Sequence, residues 1–328
     1  MLRPVAIDIG TSSIKLIELQ EKKGKLELLN CGINAVSGED IKTSLKDLLA
    51  LAKPYSKRVN ISLSGPSVTV RYIEMPPMKK EELRSAIKFE GAKHVPFDIN
   101  DAIVDSAVLD KNPSGSANRV LLVAAKKDRI KGLLDMFKEM GMDIANIDVD
   151  TMALFNSFQR LGLENKHENA YAMVNIGARF SNVNIAAKGH PYFTRDIMWG
   201  GADISARIKE QMAPGQEEAE KLKREPGEKK ADVARAITPV LERFVSEMRM
   251  SFDYFETQFG RNVERLYISG GTAYLFNIRD FLKENLGMEA ALWNPFEGIK
   301  VHDEAAVDKS ASDFPGRFSV AMGLALRK

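Results

Sequence analysis

Residues 8–15 read Asp-Ile-Gly-Thr-Ser-Ser-Ile-Lys, placing a carboxylate, a glycine turn, three hydroxyls and an ammonium within one short stretch. That set suits a metal-bound phosphate chain. Gly10 lets the backbone approach an anion closely, successive N–H groups can point into one concavity, and Thr11, Ser12 and Ser13 add hydroxyl donors. Lys15 would place a cation beside the phosphates, and Asp8 could hold a water of a hydrated Mg²⁺. A plain hairpin, with Asp8 and Ser13 bonding their own backbone, explains the same residues equally well.

The pattern returns near residue 170. Ala170 to Ile176 is an apolar strand, Gly177-Ala178-Arg179-Phe180 a turn, and Ser181 to Ala187 a second strand. Aligning the hairpins sets Asp8-Ile9-Gly10 over Asn175-Ile176-Gly177, which suggests a duplicated domain gripping a phosphate tail from both sides. On the second side the candidates are the backbone of Gly177 and Ala178, with Arg179 as a cation. A third glycine turn follows the apolar run Leu266 to Ser269, at Gly270-Gly271-Thr272. A helix through Tyr274 to Leu282 is expected after it, its N-terminal dipole aimed at a ligand. Competing chemistries are missing. There is no Gly-x-x-x-x-Gly-Lys-Ser/Thr or Gly-x-Gly-x-x-Gly stretch and no serine nucleophile elbow. His94, His167, His190 and His302 are scattered, and Cys31 reads as a small core residue.

The elements that must hold these turns read as strands alternating with helices. Pro4–Ile9, Ile14–Glu18, Lys25–Cys31 and Arg58–Leu63 are strand-like, and Ile41–Ala52 is helical up to Pro54. From Ser67 the texture changes to a strand, a helix over Glu81–His94, two strands joined by a loop at Lys111–Ser116, and a helix over Asp128–Met140. These make a small α+β unit inserted in a larger sheet domain. Lys209–Asp232 is a solvated, mixed-charge segment, and Ile237–Phe259 a long helix with a core stripe at Leu241, Phe244, Met248, Phe252 and Phe255. A chain of 328 residues exceeds one compact core, so two lobes are expected. A net charge of +2 gives no pull toward nucleic acid or membrane. The single cysteine fits a reducing compartment, and no stretch approaches the roughly 18 apolar residues of a membrane span. A cytoplasmic protein is expected, with membrane contact only through a partner.

Taken together, the hairpins at Asp8–Lys15 and Asn175–Ser181 and the Gly270-Gly271 loop resemble the actin-like ATPase superfamily, and within it the PilM family of type IV pilus assembly. Further stretches are similar to that family: Ile73-Glu74-Met75-Pro76 leading to Val95-Pro96-Phe97, Phe193-Thr194-Arg195-Asp196 before Gly200-Gly201, Ala219–Lys223, Asn294-Pro295-Phe296 and Arg317–Arg327. The resemblance spans essentially the whole chain. It implies an α/β fold of two RNase-H-like lobes around an ATP and Mg²⁺ cleft, with a small inserted α+β subdomain. The expected division is residues 1–66 with 144–168 and 312–328 as the first lobe and 67–143 as the insertion. Residues 169–311 form the second lobe, with an outer helical part at about 205–262.

The resemblance also implies that Asp8 and Asn175 stand at the catalytic positions, Asp8 also serving the metal. It implies capture of the cytoplasmic N-terminal peptide of a PilN-like membrane protein, in a groove near Met75–Phe97. Pilus motor ATPases and a second copy are further partners in view. Most relatives carry aspartate where this chain has Asn175. An amide orients water but supplies neither charge nor basicity, so bound ATP with slow or absent hydrolysis is expected. Asp148 or Asp150 could replace the missing carboxylate, although Asp150 also reads as the cap of a helix starting at Thr151. The alternatives are an actin-fold small-molecule kinase, for which no catalytic base stands out, and an FtsA-like division protein or GspL domain. The last two would normally continue into a membrane-binding or membrane-spanning helix.

Overall fold

The computed structural model describes residues 4–36, 40–111, 118–162 and 170–327. His167 and the Asn112–Ser116 part of the expected loop lie outside them. Among the described residues the chain builds three sheets. In the first, β1 (Val5–Ile9), β2 (Ser13–Lys22) and β3 (Lys25–Ala35) form an antiparallel meander, and β4 (Arg58–Leu63) and β8 (Asp143–Val149) extend it in parallel. In the second, β9 (Ala170–Ile176), β10 (Ser181–Ala187) and β11 (His190–Ile197) form the meander, and β12 (Val263–Ser269) and β13 (Ala290–Leu292) extend it in parallel. The strand orders β3-β2-β1-β4-β8 and β11-β10-β9-β12-β13 follow one plan. The third sheet, β5 (Val68–Met75), β7 (Asn118–Lys126) and β6 (Ala102–Lys111) in that order, is antiparallel.

β1 and β9 are apolar nearly throughout because each is central in its sheet and covered on both faces. On the outer face of the first sheet lie α1 (Ile41–Ala52) and α3 (Lys127–Glu139), which bring Leu45, Leu48, Leu133 and Phe137 to one core. α2 (Lys80–Gly91) covers the third sheet with Leu83 and Ile87. α5 (Gly201–Met212), α6 (Gln216–Leu222), α7 (Lys230–Phe259) and α8 (Ile278–Leu286) pack on the second sheet. Between the two large sheets run α4 (Asp150–Gln159) and, after the short α9 (Ser310–Asp313), α10 (Ser319–Leu326). α10 is buried on all sides from Ser319 to Ala325, which explains why its sequence has no polar face. No helix among the described residues is long and apolar enough to cross a membrane.

Three elements differ from the sequence reading. α7 starts at Lys230, seven residues early, and runs straight through Pro239. Ala236, Ile237 and Leu241 are buried on both sides of the proline, so tertiary burial carries the helix past it. The helix expected at Tyr274–Leu282 is a 3₁₀ turn at Gly271–Tyr274, and α8 begins only at Ile278. β14 (Lys300–Val307) pairs with β3 at the edge of the first sheet, although the sequence reading put those residues in the second lobe. Trp293, Phe296 and Ile299 pack into the core between the sheets and carry the chain across before residue 300.

Candidate functional site

The two hairpins close in the same way. Gly10 N–H donates to the Ser13 carbonyl at 3.1 Å, and Gly177 N–H to the Phe180 carbonyl at 3.0 Å. A Cβ at Gly10 would stand 2.9 Å from Lys15 Nζ and from the Ser13 carbonyl oxygen, and one at Gly177 only 2.6 Å from the Phe180 carbonyl oxygen. Glycine is required at both by close approach. Among the described residues the N–H groups of Thr11 and Ser12 donate to no other part of the chain, which leaves them for a ligand.

The register carries the equivalence into the side chains. Asp8 lies opposite Lys15 across β1–β2, and Asn175 opposite Asn182 across β9–β10. The first couple is an ion pair, Lys15 Nζ to Asp8 Oδ2 at 3.1 Å. The second is a pair of amides, Asn175 Nδ2 donating to Asn182 Oδ1 at 3.0 Å. Asn182 Nδ2 in turn donates to Asp196 Oδ1 at 2.8 Å. Asn175 Oδ1 is turned toward Gly270, where φ is +89° and a Cβ would overlap the Ile176 carbonyl oxygen. Gly270 N–H is held by the Gly316 carbonyl at 2.9 Å, and Thr272 Oγ1 donates to the Gly177 carbonyl at 2.8 Å. The third glycine turn is thereby fastened to the second.

All three turns face one cleft of about 740 Å³ between the large sheets. Asp8, Gly10, Thr11, Ser12, Ser13 and Lys15 line one wall, Asn175, Gly177, Ala178 and Arg179 the opposite wall, and Gly270, Gly271 and Thr272 the far end. Every residue proposed from the three glycine stretches is therefore in one place. Apart from Asp150, reasoning from sequence did not assign the rest of the lining. Lys223 is buried and donates to the Gly201 carbonyl (2.9 Å), Ser205 Oγ (3.0 Å) and Glu220 Oε2 (2.9 Å). Burial lowers its ammonium from the ordinary value, and Glu220 offsets part of this. Arg224 lies over the Phe314 ring, and Arg317 stands nearby, lowered first by burial and then by the Arg224 charge. Six cations (Lys15, Arg179, Lys209, Lys223, Arg224, Arg317) face three carboxylates (Asp8, Asp150, Glu220), so the cleft favours a polyanion.

Asp150 belongs to this cleft, whereas Asp148 does not. The Asp148 carboxylate pairs with Arg327 and accepts from Val149 N–H. The helix cap expected of Asp150 is not formed: α4 begins at Asp150 itself, Val149 is the N-cap, and no side chain caps it. The carboxyl turns instead toward the cleft, beside Ser62 and Ser64. Burial, then the charges of Asp8 and Asp196, push it up to about 7 against the working of the two serine hydroxyls. The folded chain then keeps a proton that the unfolded chain releases near the ordinary 3.8, so stability from this group falls as pH rises through 7. Denaturant melts of wild type are expected to lose on the order of 2–4 kcal/mol from pH 5 to pH 8 through this group. Asp150→Asn should flatten that slope; an unchanged slope would remove Asp150 as its source.

A second cleft, of about 400 Å³, opens between the edge strands β5 and β11 and shares Ser64, Asp150 and Asn182 with the first. Tyr72 Oη and Thr194 Oγ1 meet across it at 3.1 Å. Among the described residues of the Met75–Phe97 stretch, Pro96 alone lines it, while Met75, Leu83 and Ile87 are buried in the core of the inserted unit.

This geometry is accompanied by a family match: the sequence fits the profile described as type IV pilus assembly protein PilM over residues 6–328. The chain belongs to that family. A solved PilM–PilN type IV pilus biogenesis complex is similar in fold, with TM-score 0.89 and 24% identity over 99% of this chain and 98% of the other. The ethanolamine utilization protein EutJ from Carboxydothermus hydrogenoformans follows at TM-score 0.58 and 14% identity, over 99% and 89%. MreB 5 of Spiroplasma citri, solved with AMPPNP, gives 0.50 and 12% over 97% and 93%. The fold of this PilM family member is thus the actin-like ATPase fold, with the two large sheets as its matched halves.

One signal for the missed residues was available in the sequence. Extending the hairpin alignment from the glycine to the following strand places Lys15 over Asn182, the residue that holds Asn175. Glu220, Lys223 and Arg317 lay in stretches that carried the family likeness, but nothing local marked them as lining a cleft.

Proposed function

We propose that this chain is an ATP-binding scaffold of type IV pilus assembly, held at the cytoplasmic face of the inner membrane by a PilN-like partner. The observation that carries the nucleotide reading is the convergence of two equivalent glycine hairpins and the Gly270 turn on one cation-rich cleft. The triphosphate would lie between Thr11–Ser13 and Gly177–Arg179, with Lys15 beside it and the nucleoside toward Gly270–Thr272, Lys223 and Arg317. Among the described residues no three His, Cys, Asp or Glu side chains gather into a metal site. Asp8 fits a Mg²⁺ that arrives on the phosphates and keeps most of its water. When bound, the metal would neutralise phosphate charge. Asp8 would hold its water, Lys15 would hold Asp8 in place, and Asn175 would orient a water without taking its proton. The reading is of a nucleotide held and slowly turned over. The PilM–PilN complex of similar fold supports the partner, and the cleft between β5 and β11 is our assignment for the peptide, since two edge strands can flank an extended chain. We propose the lobe and insertion boundaries given from the sequence, with Lys300–Val307 moved to the first lobe.

Titration of a fluorescent ATP analogue with Mg²⁺ tests the cleft. Lys15→Ala is expected to weaken binding at least about 10-fold, as the loss of a charge-assisted contact would. A wild-type chain that ignores nucleotide at millimolar concentration would end the reading.

A further inference from the structure

The groove between β5 and β11 has a floor made of acceptors. Asp196 is exposed there, with Asn182 as its hydrogen-bond donor, and Asp150 stands in the wall shared with the nucleotide cleft. Between the two large sheets, Thr151 lines the same groove at 4% exposure, and its Oγ1 meets no partner among the described residues. A buried hydroxyl left without a partner calls for one, and the groove that Thr151 lines is where a ligand could supply it. The groove's own cations do not satisfy this floor. Arg195 is engaged by Glu247 and Ser251, and Arg71, exposed on the opposite rim, donates to its own neighbour's carbonyl at Val70. Among the described residues no lysine or arginine forms an ion pair with Asp150 or Asp196.

Resting on the assignment of this groove to the partner peptide, we infer that it selects a cationic group of that peptide, a guanidinium or ammonium seated by Asp196, Asp150 and the Thr151 hydroxyl. The hydroxyl and carboxylate oxygens accept, and a guanidinium or ammonium carries donors enough for all three. The extended backbone on either side would lie along β5 and β11. The charge then fixes the register of a strand that backbone pairing alone would let slip.

The test is fluorescence anisotropy with the full chain and a labelled synthetic peptide, the cytoplasmic N-terminus of the PilN-like protein from the same organism. Val70→Trp, which fills the groove, is expected to abolish binding while ATP-analogue binding remains. Asp196→Asn should lower peptide affinity about 10-fold. The peptide is then altered one position at a time, arginine to citrulline, lysine to norleucine, and the terminal amine acetylated. One alteration should cost about 10-fold against wild type and nothing further against Asp196→Asn. If Val70→Trp abolishes binding but neither Asp196→Asn nor any peptide alteration changes it, the cation is refuted and the groove stands. If Val70→Trp leaves binding intact, the groove assignment fails and the inference falls with it.

Discussion

Gly323→Ala is expected to cost the protein about 3 kcal/mol or more, whereas Gly132→Ala, the same change in another helix, should stabilise it. Gly323 lies in α10 where that helix crosses α4, and a Cβ there would overlap the Ala153 carbonyl oxygen outright. Backbone cannot swing aside as a side chain does, so the two helices must part. Overpacking of a tight core costs typically about 1–3 kcal/mol and more where nothing can yield. The helix propensity gained on replacing glycine, about 1 kcal/mol, is too small to compensate. Gly132 sits exposed inside α3 with no atom within 4 Å of its would-be Cβ. Only the propensity gain of about 1 kcal/mol applies there. Urea melts of the two variants should move in opposite directions. A Gly323→Ala protein as stable as wild type would mean that α4 and α10 do not cross as closely as described.

The second large effect concerns hydrolysis. Asn182 spends its Nδ2 on Asp196, so its oxygen must face Asn175, and a donor is required at that position. Asn175→Asp alone sets two oxygens against each other and should cost about 1–3 kcal/mol, or leave the new carboxyl protonated and inert. Asn175→Asp with Asp196→Asn reverses the polarity of the whole chain. The Asn182 amide can turn over, donate to the introduced carboxylate and accept from the introduced amide. The double variant is expected to regain most of the lost stability. It should also release phosphate from ATP at least about ten times faster than wild type, toward the roughly 10²–10⁴-fold that a positioned base supplies. Steady-state phosphate release decides it. Brisk wild-type turnover, or a double variant that binds ATP and is no faster, would show that residue 175 does not limit hydrolysis.

Much of this site was legible because glycine is the signal. Gly10, Gly177 and Gly270 are demanded by backbone approach, and such a demand shows in one residue's identity without knowledge of the fold. The hairpins were equally readable, since alternation and a tight turn are local. What escaped were residues whose neighbours are remote in sequence. Arg317 reaches the cleft because Gly316 clasps Gly270, and Lys223 because it bonds the Gly201 carbonyl. Asp150 looked like a helix cap because caps are common at strand-to-helix junctions, but the backbone turned its carboxyl toward Asp8 and Asp196. Pro239 misled in the other direction: a breaker in isolation, it is overridden by burial before and after it.

α10, apolar after Ser319, also sets the order in which the protein can be made. Its residues join Ala6, Ile17 and Leu19 of the first hairpin in one core, and Asn60 Nδ2 donates to the Leu324 carbonyl at 3.0 Å. A nascent chain emerging from the ribosome carries that hairpin long before residues 319–326 exist, with the inner face of its first sheet bare. The second sheet can close its own core from residues 170–292 in the meantime. The first half synthesised is therefore the last to complete its core, and until then it exposes apolar surface.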